Sequence, residues 1–501
     1  WRDGFALAPL GTAALALLAL SGWPFAAPGA PVREGEFFAV ASALAFVFSA
    51  GGWLVMVKGH VKGPGATLAA LGPLAVLLIS HEKAEALRSP VLWSGMALLL
   101  ALLNAGALQR VARAYGGVDK TPGPSAAFAL GASAGAILTI LFALRNQPLW
   151  APTALTLLAP SMAWLDLRFR LPALRAAIGV ITLIALWALG PSFSIFDYTL
   201  APAPIVNALL PVYGVAIAAL WSAASLYRAG GVSADARVVQ ALEASVLVLA
   251  AFGLAMEVRH IATGGEITAA RVSLAEVGAD AIAWLGVAIG LAARFGPQPR
   301  RVIFWGEAAF AALAGLTLLF VAVLFANPWW GDAPSPTAGP AVFNTLLVAY
   351  GIPGALFAVY AIIQRRRGLA LRATAAGLAA TVLLFVNLTL EVRRLYHPQD
   401  MAGPDVGAWE AWSLTAAWVC FAAALWALGL IRGKPSLRYS SVVVLILSII
   451  KALGFDLATL DGVLRVALLL GLGVAALAVA WTYQKLVAPR AAGDPNIMPP
   501  R

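Results

Sequence analysis

The sequence predicts an all-α, polytopic membrane bundle of about sixteen transmembrane helices in roughly four parallel four-helix repeats. Three observations predict it. The 501 residues are 61% hydrophobic and 11% charged, against about 25% charged in a soluble domain. So few charges would leave very large apolar patches on a soluble surface. Apolar runs of roughly 20 residues, without the alternation of a barrel, recur along the chain and match helices crossing about 30 Å of hydrocarbon. Finally, Lys and Arg cluster in every second loop.

In order, the expected spans occupy 4–22, 37–57, 64–80, 90–108, 124–143, 149–167, 173–190 and 204–227 in the first half. They continue at 238–256, 273–293, 302–326, 340–363, 369–390, 409–431, 438–455 and 463–483. The first run also has the layout of a secretory signal, a basic start followed by an apolar stretch and small residues. The start at Trp1 rather than Met leaves open what precedes it. Internal Gly and Pro are compatible with membrane helices whose neighbours satisfy the freed backbone groups.

Loop charges set the expected orientation. With the N-terminus cytoplasmic, the inside segments hold 24 of the 34 Lys and Arg but only 7 of the 23 acids, as the positive-inside rule requires. Both termini are then cytoplasmic. The opposite loops, such as GPSFSIFDYTLAPAP and NPWWGDAPSPTAGPA, are rich in Trp, Pro and acids, as interface anchors are. No loop has the length of a soluble domain. The net charge of +11 is therefore spread over loops facing anionic headgroups, which points to membrane lipids as partners and away from nucleic acid. One cysteine, Cys420, excludes an intrachain disulfide and reads as a small core residue.

Internal similarity organises the rest. LAMEVRHIAT (254–263) and LTLEVRRLYH (388–397) share a Glu-Val-Arg core 134 residues apart, and Glu276/Glu410 and Trp284/Trp418 keep that spacing. NALLPVYG (207–214) and NTLLVAYG (344–351) pair Asn207 with Asn344 and Tyr213 with Tyr350 at a spacing of 137. A fainter copy precedes both. The units expected are 1–108, 109–230, 231–366 and 367–501, the last ending in a short cytoplasmic tail. An even number of spans per unit makes the copies parallel.

AVFNTLLVAYGIPG, LTLEVRRLYH, IIKALGFDLATLDGVLRVALLLGLG and the ending WTYQK carry a family resemblance over about residues 300–490. There the chain resembles the bacterial multi-pass membrane proteins of domain-of-unknown-function family 2339. The resemblance implies a bacterial inner-membrane location and supplies no mechanism.

Charges at membrane depth are the candidate functional residues. The principal group is Glu257, Arg259 and His260 with Glu391, Arg393, Arg394 and His397. Glu391 and Arg394, three apart, can pair along a helix, whereas Glu257 and Arg259 diverge and need partners from other helices. Cross-pairing of the two triplets around a ligand site is one expectation, and ion pairs that fix helix register the other. Asp280, about two turns into its helix, joins the ligand-binding set, while Glu276 and Glu410 read as carboxylates at helix starts. Asn207 and Asn344 read as interhelical hydrogen-bond formers. Lys451, Asp456, Asp461 and Arg465 form a secondary group of capping or ligand-binding type. HEKAE lacks the second histidine of a zinc motif, GLGVAA (471–476) sits mid-span without a preceding strand, and no Walker loop, nucleophile elbow or haem motif is present. No metal or cofactor is expected. Three activities fit: binding or transport of a lipid-linked or amphipathic envelope ligand, a structural scaffold with envelope protein partners, or a transferase acting on a lipid-linked saccharide.

Overall fold

The structure, a computed structural model, describes residues 8–22, 34–58, 62–83, 89–190, 203–268, 272–295, 300–330, 338–456, 462–482 and 484–485. Among the described residues every regular element is helical, and twelve helices are long and apolar enough to cross a membrane. They fall in twelve of the sixteen expected windows. Of the other four windows, 4–22 and 173–190 hold helices of 14 and 16 described residues, 149–167 holds a broken one, and 463–483 holds a 21-residue helix outside the twelve, so the count of sixteen is not reached. The chain divides into two units, one made of Trp1–His260 with Gly264–Thr268 and one of Ile261–Thr263 with Ala269–Arg501.

The first unit contains α1 (Ala8–Ser21), α2 (Glu34–Lys58), α3 (Lys62–Lys83), α4 (Pro90–Ala114), α5 (Pro122–Ala143), α6 (Trp150–Thr156), α7 (Leu158–Phe169), α8 (Leu174–Leu189), α9 (Leu209–Ala229) and most of α10 (Arg237–Thr263). Proline explains the break within 149–167. Pro160 has no N–H to donate and its ring meets the preceding turn, so the helix ends at Thr156 and restarts at Leu158. At 16 residues α8 rises only ~24 Å. Helix pairs approach closely through small residues. A Cβ on Gly135 of α5 would stand 2.8 Å from the Ala101 Cβ of α4, which is how membrane helices gain contact when lipid removes the hydrophobic drive. The core around α7 to α10 gathers Leu155, Ile181, Tyr213, Leu220 and Tyr227.

The second unit contains α11 (Leu274–Arg294), α12 (Arg301–Thr317), α13 (Ile352–Arg366), α14 (Ala370–Tyr396), α15 (Ala408–Ile431), α16 (Pro435–Lys451) and α17 (Gly462–Thr482). Among the described residues a π-helical stretch at Ala452–Asp456 extends α16, and two others interrupt the α pattern. Leu318–Phe325 continues α12, and Leu347–Gly351 leads into α13. They meet through the Tyr350 hydroxyl, which donates to the Ala322 carbonyl at 2.6 Å. The wider ladder of a π stretch weakens its own backbone bonding and leaves carbonyls open to such donors. Helix α11 lies against the second stretch at Gly278, where a Cβ would come 2.5 Å from the Val348 carbonyl oxygen and 2.6 Å from the Ala349 Cα.

The outer surface is apolar. Leu102, Leu183, Phe325, Leu371 and Ile431 are among many large side chains that stand exposed, an exterior suited to lipid and not to water. Cys420, expected in the core, belongs to that exterior: it is exposed on α15. The apolar run around it is apolar because it faces lipid.

Gly278 yields a direct test of helix approach. Gly278→Ala forces α11 away from the 347–351 backbone and lowers the thermal unfolding midpoint in detergent, at a cost of about 1–3 kcal/mol. Gly286→Ala on the same helix, where the added Cβ meets nothing within 4 Å, leaves the midpoint unchanged or raised.

Candidate functional site

The first Glu-Val-Arg triplet occupies the last turns of α10 and is held from within the first unit. Asn207, just before α9, accepts the Leu209 N–H on Oδ1 at 2.8 Å. Its Nδ2 donates to both Glu257 carboxylate oxygens, at 3.2 and 3.1 Å, and lies 3.4 Å from His260 Nδ1. The Ile205 N–H donates to the same carboxylate at 2.5 Å. Ile205 sits at φ 66°, a left-handed conformation that a β-branched side chain rarely tolerates. Beyond the left-handed cap at Gly264, the Arg259 Nε donates to the Ile267 carbonyl at 3.1 Å.

The second triplet closes the same kind of contacts within the second unit. Asn344 Oδ1 accepts the Leu346 N–H at 2.7 Å, and Nδ2 donates to Glu391 Oε1 at 2.7 Å. Val342, two residues before Asn344 as Ile205 is before Asn207, has φ 70°. Such paired strain persists only where surroundings over-determine it. Arg393 Nε donates to the Met401 carbonyl at 2.9 Å, the counterpart of Arg259 on Ile267. The reading of Asn207 and Asn344 as polar links between segments thus has a defined geometry: each ties the start of one helix to a carboxylate near the end of another.

Arg393 is the most enclosed charge of this group, with 0% exposure. Its Nη1 donates to Glu410 Oε1 and Oε2 at 2.8 and 3.0 Å, and Nη2 donates to the Pro404 carbonyl. The guanidinium lies 5.2 Å from the Trp329 ring centroid. His397 Nε2 meets Glu410 Oε2 at 2.9 Å. A buried guanidinium is tolerable only when charge and hydrogen bonds are both met, as here. The loop that supplies the two carbonyls is pinned by Asp400, whose Oδ1 accepts the Ala402 and Gly403 N–H groups at 3.0 Å each. Those donors favour its charged form and hold its carboxyl below the usual range.

The remaining expected residues are distributed as follows. Arg394 donates to the carbonyls of Gly339 and Pro340. Asp280 is half-buried on α11, while Glu276 forms a capping box with Ser273 at the start of that helix. Lys451 ends α16, and its Nζ donates to the Ala411 carbonyl at 3.0 Å and to Thr415 Oγ1 at 2.8 Å. Arg465 is exposed on α17. Asp461 and the Asp456 side chain lie outside the described residues. Among the described residues no three His, Cys, Asp or Glu side chains gather as a metal site.

Asp166, Glu243 and Glu307, which stand outside the expected site, are each buried in an ion pair. Arg175 Nε meets Asp166 at 2.7 Å, and Arg228 Nη1 meets Glu243. Glu307, with 0% exposure, takes Arg367 Nη1 at 2.7 Å on either oxygen, Arg372 Nη1 at 2.9 Å and Gln364 Nε2 at 3.2 Å. The signal was present: each acid stands within an apolar run, a turn or two from an Arg-bearing loop.

Beside the Arg393 cluster, a cleft of about 650 Å³ opens between the 327–330 segment, α14, α15 and the end of α16. Trp329, Trp330, Phe385, Trp418 and Phe455 give it an aromatic lining, Asn327 and Thr389 add polar groups, and Lys451 is its cationic lining residue.

Two measurements probe this geometry. Glu410→Gln strands a buried guanidinium and costs about 3–5 kcal/mol, read as a fall in unfolding midpoint. Adding Arg393→Met recovers part of that loss, because the unpaired charge is gone. Val342→Gly raises stability by about 1 kcal/mol, since glycine enters the left-handed region freely.

No curated protein and no solved structure matches this chain. The family model described as "Predicted membrane protein (DUF2339)" matches residues 2–486. With nearly the whole chain matched and an apolar, many-helix exterior in place, the protein belongs to the DUF2339 family of predicted membrane proteins.

Proposed function

We propose that this protein sits in a bacterial inner membrane with both termini cytoplasmic and binds or moves an amphipathic, lipid-linked envelope ligand through the cleft of its second unit. The observation that carries the proposal is the cleft of about 650 Å³ that combines aromatic walls with Lys451. Ligand sites are typically concave, mostly apolar and furnished with a few convergent polar groups. An acyl or polyprenyl chain packs against Phe385, Leu414 and Trp418, and the ligand's polar end meets Asn327, Thr389 and Lys451. An ammonium on a four-carbon stem suits that position, because it can leave its present acceptors and reach an incoming anion.

In this reading Arg393, Glu410 and His397 set the wall of the cleft through Trp329 rather than touching ligand. Glu391 and Arg394 hold the 338–344 segment next to it. Glu257, Arg259 and His260 do the same work in the first unit, and Asp280 is a polar position on α11. A scaffold role is the second reading, and one observation favours it: Asn207 and Arg393 are already hydrogen-bonded to carboxylates of the chain itself, those of Glu257 and Glu410.

Purification from native membranes into nanodiscs, followed by native mass spectrometry, separates the two. Ligand binding predicts a co-purifying amphiphile that is depleted about tenfold or more by Lys451→Met and by Trp418→Ala, with helical content retained. Such a loss corresponds to about 1.4 kcal/mol. The same bound species in wild type and both variants leaves the scaffold reading in place.

A further inference from the structure

A second groove lies at the opposite end of α14 from Arg393. It has a volume of about 640 Å³ and runs along α12, α13 and the first half of α14, lined by Ala311, Leu319, Phe357, Ala375 and Leu383 among others. Its lining contains one charged side chain, Arg372. Arg372 stacks on Phe304, with Cζ 3.7 Å from the ring centroid, and donates from Nη1 to the Phe304 carbonyl and to Glu307.

Charge at this end is unbalanced. Glu307 is shared by two guanidinium groups, those of Arg367 and Arg372, so one carboxylate answers two positive charges. Arg367 is 6% exposed, and its Nε and Nη2 are buried without a hydrogen-bond partner among the described residues. The Tyr360 hydroxyl, on a residue that lines the groove, is likewise buried without one. Arg365 and Arg366, both exposed, extend the positive field. A buried N–H on a charged group is costly to leave unmet, and guanidinium engages phosphate oxygens bidentately.

We infer that this groove is a binding site for an anionic phospholipid, whose phosphate engages Arg372 within the positive field of Arg365, Arg366 and Arg367 and whose acyl chain lies along the Ala- and Leu-lined channel. Basic pockets between membrane helices are a recurring way to hold acidic headgroups. The site is separate from the aromatic cleft, with its own arginines and walls, and the two are testable independently.

The test uses the full chain in nanodiscs of phosphatidylcholine, with or without phosphatidylglycerol of the same acyl chains, and reads retained lipid by native mass spectrometry. Phosphatidylglycerol is retained about tenfold over phosphatidylcholine by the wild type, which corresponds to a single strong charged contact. Arg372→Gln brings that ratio close to one. Ala375→Phe, which fills the groove without touching the ion pairs, reduces retention of both lipids and serves even if Arg372→Gln fails to fold. Equal retention of the two lipids by the wild type would overturn the inference, as would unchanged phosphatidylglycerol retention in Ala375→Phe. So would inorganic phosphate raising the melting temperature in phosphatidylcholine discs as much as phosphatidylglycerol does, because a free-phosphate site would then explain the arginines.

Discussion

Ionised groups inside a membrane protein must find their counter-charges within the fold, because hydrocarbon offers none. That constraint organises this molecule. Glu410 with Arg393, Glu307 with Arg367 and Arg372, Glu243 with Arg228 and Asp166 with Arg175 each join an acid to a guanidinium from another helix or turn. Such pairs add little net stability compared with apolar packing of the same shape. Their effect is on uniqueness: a helix that rotates or slides by one residue strands a charge, so the pairs fix register among helices that would otherwise slip past one another.

Helix α14 shows the principle along a single element. Its 27 residues rise ~40 Å, with Arg372 near its start and Arg393 near its end. Each arginine belongs to a different buried-acid cluster, and each cluster borders a cavity. One cavity is aromatic with a lysine; the other is aliphatic with an arginine. The helix therefore links an aromatic cleft towards one end to an aliphatic groove towards the other, and the polar side chains between its two arginines are Thr374, Thr381, Asn387, Thr389 and Glu391.

Much of this was legible in the sequence. Hydropathy located twelve helices long and apolar enough to cross a membrane, because burial in lipid needs only an apolar run of sufficient length, and that is a local property. Of the four windows without such a helix, 149–167 is broken where Pro160 lacks a backbone donor. The equivalence of Asn207 with Asn344, and of Glu257 with Glu391, was readable as a spacing, and each pair does form the same hydrogen bond. Partnerships were not readable. Arg393 takes Glu410 from the next helix and two backbone carbonyls from the intervening loop, and no residue type announces that a carbonyl will be an acceptor. Glu307 finds Arg367 and Arg372 some sixty residues on, a separation that only folding closes.

The π-helical stretch at Leu318–Phe325 has one more consequence. A π turn amounts to one residue inserted into an α-helix, so everything after it is rotated by about 100° relative to an uninterrupted helix. Asn327, Trp329 and Trp330 follow that offset, in a turn beyond the helix end that the Trp330 and Trp329 N–H groups close onto Asn327, while Phe304 and Glu307 lie upstream of it. Loss of a single residue from 318–325 would let the segment relax to α and swing the tryptophans away from α14. The chain length between the two clusters is thus set to the residue, and a deletion far from either could dismantle the wall of one while leaving the other intact.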